Sequence, residues 1–343
     1  MESINKQPLV SIIIVNWNGG NVFATCLKSL KKISYQNWEL IIVDNGSIDK
    51  SENLVYLYKP TKNIIVIKNK QNKGFAEANN QGYKKSNGKY ILLLNNDTRI
   101  TPNFLNILVE KIEKNNNLGV IQPKIFLMDT DHLLDNAGSF LTRIGFLKHW
   151  GFMEQDREEF RVEREIFSAK GACMLIRKEV INKVDLFDRD FVSYFEESDF
   201  CWRVWMGGYK ILFYPKAKIY HKLGFTIRRL NVMNLNYHYY KNRIRSLIKN
   251  LELYNIFFVL IPHLFISLCL IFVFLLRFKF RNSFMIVRAL AWNIQYLPST
   301  LRLRKVVQKE RKVNDEILFN NLSQKIDWFK YWHDFKRIEK DSA

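Results

Sequence analysis

Four short apolar runs punctuate the first hundred residues: Leu9 to Val15, Leu40 to Val43, Ile64 to Ile67 and Tyr90 to Leu94. None alternates with polar positions, so each reads as a strand buried on both faces. Helix-length segments, Phe23 to Lys31 and Phe75 to Lys85, separate the first run from the second and the third from the fourth. Strands alternating with helices predict a mainly parallel sheet covered by helices, and such sheets bind ligands outside the carboxyl ends of their strands. Further along, the pattern predicts a helix over Asn103 to Lys114, a strand over Leu118 to Ile121, and a long irregular stretch to about Lys170. A strand over Ala172 to Ile176 and a short helix over Lys178 to Val184 follow.

Beyond a Tyr- and Arg-rich helical segment, Leu235 to Leu251, the solvent changes. From Ile256 to Leu276 there are 21 residues without a single Asp, Glu, Lys or Arg, about the 20 that cross a hydrocarbon core. Pro262 and His263 inside the run leave two arrangements open, a span and a re-entrant or interfacial segment. Lys241, Arg243, Arg245 and Lys249 precede it and Arg277, Lys279, Arg281 and Arg288 follow it, so the positive-inside rule gives no orientation. Basic flanks on both sides suit ends that stay at the cytoplasmic face of the cell membrane, against anionic lipid. A weaker apolar stretch, Phe284 to Leu297, fits a hairpin. The remainder, Arg302 to Ala343, mixes charge with Trp328, Phe329, Tyr331 and Trp332 and reads as surface helices.

Composition narrows the choices. With 343 residues, 48% hydrophobic and 25% charged, the chain is not disordered, collagenous or a coiled-coil rod. A formal charge of +20 suits nucleic acid, nucleotide phosphates or anionic lipid, and its sign alone does not choose among them. Part of it is local, because 19 basic and 8 acidic residues lie from Leu235 onward. There is no recognition-helix pattern, zinc spacing or aromatic RNA-binding strand, so a basic nucleic-acid-binding protein is the weaker alternative and no nucleic-acid partner is expected. Cys26, Cys173, Cys201 and Cys269 are widely spaced and show no CxxC, which indicates a reducing compartment. The polar opening, Met1 to Pro8, places the N-terminal part in the cytosol.

The four strand ends carry the chemistry. Asn16-Trp17-Asn18-Gly19-Gly20 follows the first, Asp44-Asn45-Gly46-Ser47-Ile48-Asp49 the second, a loop ending in Lys73-Gly74 the third, and Asn95-Asn96-Asp97 the fourth. Asn, Asp and Gly make turns anywhere. Their recurrence at all four ends, with a carboxylate at the second and fourth, points instead to a metal-diphosphate site. Mg²⁺ is commonly held by one or two carboxylates plus the substrate's phosphate oxygens. Asp97 is best placed for the ion, Asp44 for a base or ribose, and Gly74 for close approach of the backbone. The densest acidic cluster, Glu196-Glu197-Ser198-Asp199, opens a helix, where helix capping is the plain alternative to catalysis.

Taken in order, these segments resemble family 2 inverting glycosyltransferases of the GT-A fold, of the rhamnosyltransferase-like kind. The matching elements are Val10 to Gly19, Val43 to Asp49, Asn72 to Gly82, Leu93 to Thr98 at the place of the family's metal-binding DxD, and Gly171 to Arg177. Phe187-Asp188 and the Tyr194 to Arg203 acidic block complete the set, which spans about residues 8 to 225. The resemblance implies an α/β GT-A fold, a mainly parallel Rossmann-like sheet flanked by helices with a helical membrane-associated C-terminal region. It implies a catalytic domain over 1–235, with a nucleotide-sugar half (1–100) and an acceptor half (101–235), followed by helices over 236–343.

It also implies site roles. Asn16, Asn18, Asp44, Ser47 and Asp49 would contact the nucleotide, while Gly74, Phe75, Asn79 and Asn96 would line the donor pocket. Asp97, with Asn95 and His221, would hold Mg²⁺ or Mn²⁺. Two departures stand out: Asn95 replaces the first Asp of a strict DxD, and Glu197 occupies the place of the usual catalytic Asp. The base is therefore Glu197 or Glu196, with Asp199 nearby. The partners implied are a nucleotide-diphosphate sugar donor, a glycan or lipid-linked glycan acceptor and a membrane surface, in surface polysaccharide or glycolipid assembly. The same two departures leave a non-catalytic nucleotide-binding relative as the other alternative.

Overall fold

A computed structural model describes residues 7–130, 132–222 and 232–325. The chain opens with β1 (Val10–Asn16), α1 (Gly20–Leu30), β2 (Trp38–Asp44), the short α2 (Leu54–Tyr58), β3 (Ile64–Lys68), α3 (Phe75–Lys84) and β4 (Tyr90–Leu94). Next come β5 (Thr98–Ile100), α4 (Phe104–Glu113), β6 (Leu118–Leu127), β7 (Leu134–Asn136), β8 (Ser139–Leu141), β9 (Leu147–His149) and β10 (Arg164–Glu165). β11 (Cys173–Arg177), α5 (Lys178–Val184), α6 (Glu196–Met206) and β12 (Lys210–His221) complete the α/β part.

The main sheet runs β10-β12-β6-β11-β4-β1-β2-β3, with β5 on β12 and β7 on β6, while β8 and β9 form a separate pair. β1 is parallel to β2 and β4, β2 to β3, and β6 to β12, whereas β11 runs antiparallel to both of its neighbours. β10 and β5 on β12 and β7 on β6 are antiparallel too, so the sheet is mixed and not mainly parallel as the pattern suggested, while the α/β class with flanking helices is the one expected. Every residue of β2 and β4 is buried, which is why neither strand alternates in polarity. Ile12, Ile14, Leu40, Ile42 and Leu92 pack with Phe23 and Leu27 of α1 and Phe104 and Leu108 of α4. Full burial of such side chains contributes roughly 1.5–3 kcal/mol each. Parallel pairing brings Asn16 level with Asp44, so the strand ends meet at one rim.

The stretch expected to be irregular is richer than its pattern. β6 runs on from Ile121 to Leu127, through Pro123 and Lys124, two residues that disguise a strand. Lys124 is tolerated there because its buried stem delivers Nζ to Asp156, 2.6 Å away. β7 to β10 span only two or three residues each, too short for a period to register.

Contacts divide the described residues into two units: 7–139, 149–222 and 310–312 in the first, and 140–148, 232–309 and 313–325 in the second. The second contains α7 (Val232–Asn250), α8 (Leu253–Asn255), a π-helical turn (Ile256–Leu260) leading into α9 (Ile261–Leu276), then α10 (Phe280–Gln295), α11 (Leu297–Lys309) and α12 (Asp315–Leu322). Tyr237, Tyr240, Phe274, Met285, Ile286 and Ala289 form its core. Leu253–Leu276 is a continuous 24-residue helix, long and apolar enough to cross a membrane. The segment with Trp328, Phe329, Tyr331 and Trp332 lies outside the described residues, as does Met1 to Lys6.

Gly82 of α3 is where helix and sheet approach most closely, since an added Cβ would lie 2.5 Å from Ile13 Cγ2. On helix propensity alone Gly82→Ala would stabilise by up to about 1 kcal/mol. Overpacking against a buried strand reverses the sign, and we expect a net loss of about 1–3 kcal/mol in urea unfolding.

Candidate functional site

The rim is organised around the buried amide of Asn16. Its Nδ2 donates to Asp44 Oδ1 (3.0 Å), Ser47 Oγ (3.2 Å) and Ser51 Oγ (2.9 Å), and its Oδ1 accepts from Asn96 Nδ2 (3.0 Å). One side chain thus ties together the loops after β1, β2 and β4. Asp44 accepts from the Ser47 hydroxyl at 2.6 Å and from the Ser47 amide at 3.2 Å. Asn18, with φ +50°, donates its amide to Ser47 Oγ and accepts from Ile48 N. Asp49 accepts from Gly20 N and Ser51 N.

Asn45 does the same for the loop after β3. Its Nδ2 donates to Asn72 Oδ1 and the Gly74 carbonyl, and its Oδ1 accepts from Asn69 Nδ2 and Lys73 N. Gly74, with φ +85°, leaves no room for a side chain, because a Cβ would lie 2.5 Å from the Val192 carbonyl oxygen. Phe75 packs against Phe187 and faces Gly171. Asn79 is buried within α3, its amide donated to the Phe75 carbonyl.

Asp97 and His221 meet where β5 pairs with β12, Thr98 level with His221. His221 Nε2 is 3.1 Å from Asp97 Oδ1, and its Nδ1 is 2.9 Å from Asp135 Oδ2. Lys170 Nζ donates to the other Asp135 oxygen at 2.7 Å. Burial disfavours charge on His221, yet the carboxylates of Asp97 and Asp135 outweigh it and raise its pKa to about 9. Burial likewise works against Asp135, and Lys170 and His221 hold it below the usual carboxylate range. Asp97 Oδ1 and His221 Nε2 are buried without a hydrogen-bond partner, so the 3.1 Å approach has the distance of a pair but not a donor's alignment. Two unsatisfied donor atoms that close suit adjacent ligands of one octahedral cation, whose bonds of about 2.0–2.1 Å separate neighbours by about 2.9 Å. Asn95 sits two residues before Asp97, its amide bonded to the Ala172 carbonyl. Among the described residues no group of three His, Cys, Asp or Glu side chains is gathered for a metal, so further ligands would come from elsewhere.

The acid block lies at the start of α6. Its approach is strained: Val192, Tyr194 and Phe195 have φ of +65° to +70°, rare for such side chains and concentrated in proteins at functional positions. Glu196 is buried and Glu197 half-buried, and one oxygen of each carboxylate has no hydrogen-bond partner. Burial raises the pKa of both. The charge of Glu197 pushes Glu196 further up, and Lys170 and the Gly171 amide partly offset the effect on Glu197. Two adjoining carboxyls of this kind share protons as a pair. Gly171 also joins the acid block to the rest of the site, because its Cβ position lies 3.5 Å from Phe75 and 3.9 Å from Glu197 Cβ. Close approaches run from Asp97 through His221 and Asp135 to Lys170, whose neighbour in sequence, Gly171, lies against Glu197.

Asp199 points elsewhere. It is buried and pairs with Arg203 Nε at 3.0 Å, while the Arg203 guanidinium donates to the carbonyls of Val184, Asp185 and Leu186. That arrangement fastens α6 to the chain after α5. Lys170, Asp135 and Asn45 escaped the sequence reading. Lys170 and Asp135 fall in the stretch without periodicity, and Asn45 carried a signal in its strand-end loop.

The family description "Glycosyl transferase family 2" matches residues 11–185. Over 225 residues the chain is 23% identical to the poly-beta-1,6-N-acetyl-D-glucosamine synthase of Staphylococcus aureus (strain MSSA476), covering 63% of this chain and 52% of the synthase. The chain spans about half the length of the curated relatives it matches. Its fold is similar to GalNAc-T7 solved with UDP, GalNAc and Mn²⁺ (TM-score 0.58, 17% identity, 74% of this chain and 50% of that one). It is also similar to the mannosyltransferase PcManGT from Pyrobaculum calidifontis in complex with GDP-Man and Mn²⁺ (TM-score 0.53, 13% identity, 89% and 86%).

The Asp199–Arg203 pair yields a prediction. Asp199→Ala leaves a buried guanidinium without its carboxylate, and unfolding in urea is expected to show a loss of about 3–5 kcal/mol. Unchanged stability would remove the fastening role.

Proposed function

The chain belongs to glycosyl transferase family 2, and on that premise we propose that it moves a sugar from a nucleotide-diphosphate sugar to an acceptor hydroxyl, inverting the anomeric carbon. The observation that supports this most is that the Asp97–His221–Asp135–Lys170 series leads, through Gly171 next to Lys170, to the raised carboxyls of Glu197 and Glu196. Bare donor atoms for a cation and an acid pair with elevated pKa are the two parts such a displacement needs. The UDP and GalNAc named for GalNAc-T7 and the GDP-Man named for PcManGT accord with it.

Asp97 and, once its Nε2 proton has been displaced, His221 would hold Mg²⁺ or Mn²⁺, with Asn95 alongside. When bound, that ion supplies neutralisation of charge on the departing diphosphate. Asp44, Asn16, Asn18, Ser47 and Asp49 form the braced loops that receive the base and ribose. Gly74, Phe75, Asn79 and Asn96 shape the donor pocket, with Gly171 packed between Phe75 and Glu197. Glu197 takes the proton from the attacking hydroxyl. It is the less buried of the pair and the one touching Gly171, and Glu196 holds the same role open as its partner. General-base assistance of this type is worth roughly 10²–10⁴-fold. Asp199 contributes position through Arg203. A hexosyl or deoxyhexosyl donor of the rhamnosyltransferase-like kind, and a glycan or lipid-linked glycan acceptor in surface polysaccharide assembly, complete the proposal. So does a place at the cytoplasmic face of the membrane through residues 256–276 and their basic flanks.

Thermal shift against a panel of nucleoside diphosphates and nucleotide sugars, with and without Mn²⁺, tests the donor assignment, because at fixed concentration a ligand's stabilisation rises with the logarithm of its affinity. We expect metal-dependent stabilisation in the protein and none in Asp97→Ala, together with a turnover loss of at least about 100-fold. Glu197→Gln is expected to lower kcat by roughly 10²–10⁴-fold with nucleotide binding retained. If Glu196→Gln alone does this, the base is Glu196. Donor binding without any transfer would favour the non-catalytic alternative.

The pH profile follows in sign. A base works when deprotonated, and burial raises both carboxyls, so kcat is expected to fall on the acid side with an apparent midpoint above that of an ordinary glutamate. A midpoint in the ordinary range removes the buried pair from the rate-limiting proton transfer.

A further inference from the structure

We propose that the helical unit rests in one leaflet of an anionic membrane, with α9 lying in the plane of the surface and not crossing the bilayer. The inference deepens the membrane part of the proposed function and rests on it. Length alone would permit a span, because 24 residues extend about 36 Å at about 1.5 Å per residue. What decides is the company α9 keeps.

Its exposed face is a single stripe. Phe258, Ile261, Phe265, Leu268, Phe272 and Leu276 recur every three or four residues and are all exposed. Its other face carries His263 and Ser267, both buried. His263 Nε2 accepts from Arg243 Nε at 3.0 Å, and its Nδ1 lies 2.9 Å from the Ile144 carbonyl oxygen. α10 turns back through 277–279 and packs along α9 and α7. In that antiparallel arrangement Arg288 lies alongside the middle of α9, exposed to solvent and 4.5 Å from the Tyr237 ring.

An upright α9 would carry Arg243 and Arg288 to the depth where a charge costs most. Laid flat, the helix presents its apolar stripe to the acyl chains and keeps both guanidinium groups at or above the headgroups. The exposed Phe284, Val287 and Ile294 of α10 widen the same apolar surface. Charge selects the lipid, since residues 232–309 hold twelve Lys and Arg and one acidic residue, Glu252. Arg281, Arg288, Arg302, Lys305 and Lys309 among them are exposed. A basic surface rimming an apolar stripe complements phosphate-bearing headgroups.

Cys269 supplies the test. It is exposed on α9, whereas Cys26, Cys173 and Cys201 are buried, so a thiol-reactive fluorophore reaches one place in the folded full-length protein. The labelled protein is reconstituted into phosphatidylcholine vesicles with 30% phosphatidylglycerol and quenched by nitroxide lipids of graded depth. The in-plane placement is expected to give at least twofold stronger quenching by nitroxides near the headgroup than by those at the acyl-chain end. The opposite ranking overturns it, because in a span Cys269, about 10 Å in from the helix end, lies deep among the acyl chains. In parallel, vesicle sedimentation is expected to show at least tenfold weaker binding to pure phosphatidylcholine, and equal binding overturns the anionic partner. Absence of vesicle binding in both lipids overturns this inference and the membrane part of the proposed function together. Deep quenching with retained binding overturns the in-plane placement alone, and donor turnover is measured independently of either.

Discussion

A buried side-chain amide must find partners for all its polar atoms, and at the sheet rim this requirement falls on Asn16. It answers by bonding Asp44, Ser47, Ser51 and Asn96 at once. Three loops that are far apart in sequence become one surface, and parallel pairing of β1 with β2 brings them within reach. An apolar residue at that position would strand the Asp44 carboxylate and the Asn96 amide in a dry rim. Asn45 repeats the device one loop further out, joining the turn after β2 to the approach to Gly74. The rim at the strand ends is thus braced from beneath by amides.

The charged half of the site obeys a different constraint. His221 stands between two carboxylates and Lys170 balances the second, so three buried ionisable groups and the partly exposed Lys170 alternate in sign. The acid pair is compensated only in part, by Lys170 and the Gly171 amide at Glu197, and both carboxyls respond by favouring the protonated state. The two clusters have opposite acid–base characters although contacts through Gly171 make them neighbours. The helical unit poses the same problem of charge in a dry setting. A guanidinium at the centre of a bilayer costs about 2.5–3.5 kcal/mol even on insertion scales, so the unit's many cations argue for a boundary position.

Much of this could be read from residues alone. β1 to β4 declared themselves because strands buried on both faces leave unbroken apolar runs, and their loops did so because Asn, Asp and Gly recurred at each strand end. β6 was legible only to Ile121, since Pro123 and a lysine with a buried partner look like the end of a strand. Asp135 and Lys170 could not be found, because their meaning arises from pairing: β7 beside β6 sets Asp135 against His221, 86 residues away. Asp199 looked like one acid among three, and only the Arg203 contacts separate it from the others. The apolar length of α9 was plain from composition, while its one-sided packing depends on α7 and α10.

The left-handed turn at Val192, Tyr194 and Phe195 sets a conflict between robustness and aim. Held conformations of this kind cost of order 1–3 kcal/mol each, and the glycine that would relieve one also frees the backbone on which the acid pair is mounted. Variants selected for heat resistance would find relief at these positions and, in taking it, loosen the placement of the two carboxyls at the start of α6. Tolerance of strain just upstream of α6 is therefore a measure of how tightly the chain holds its acid groups in register.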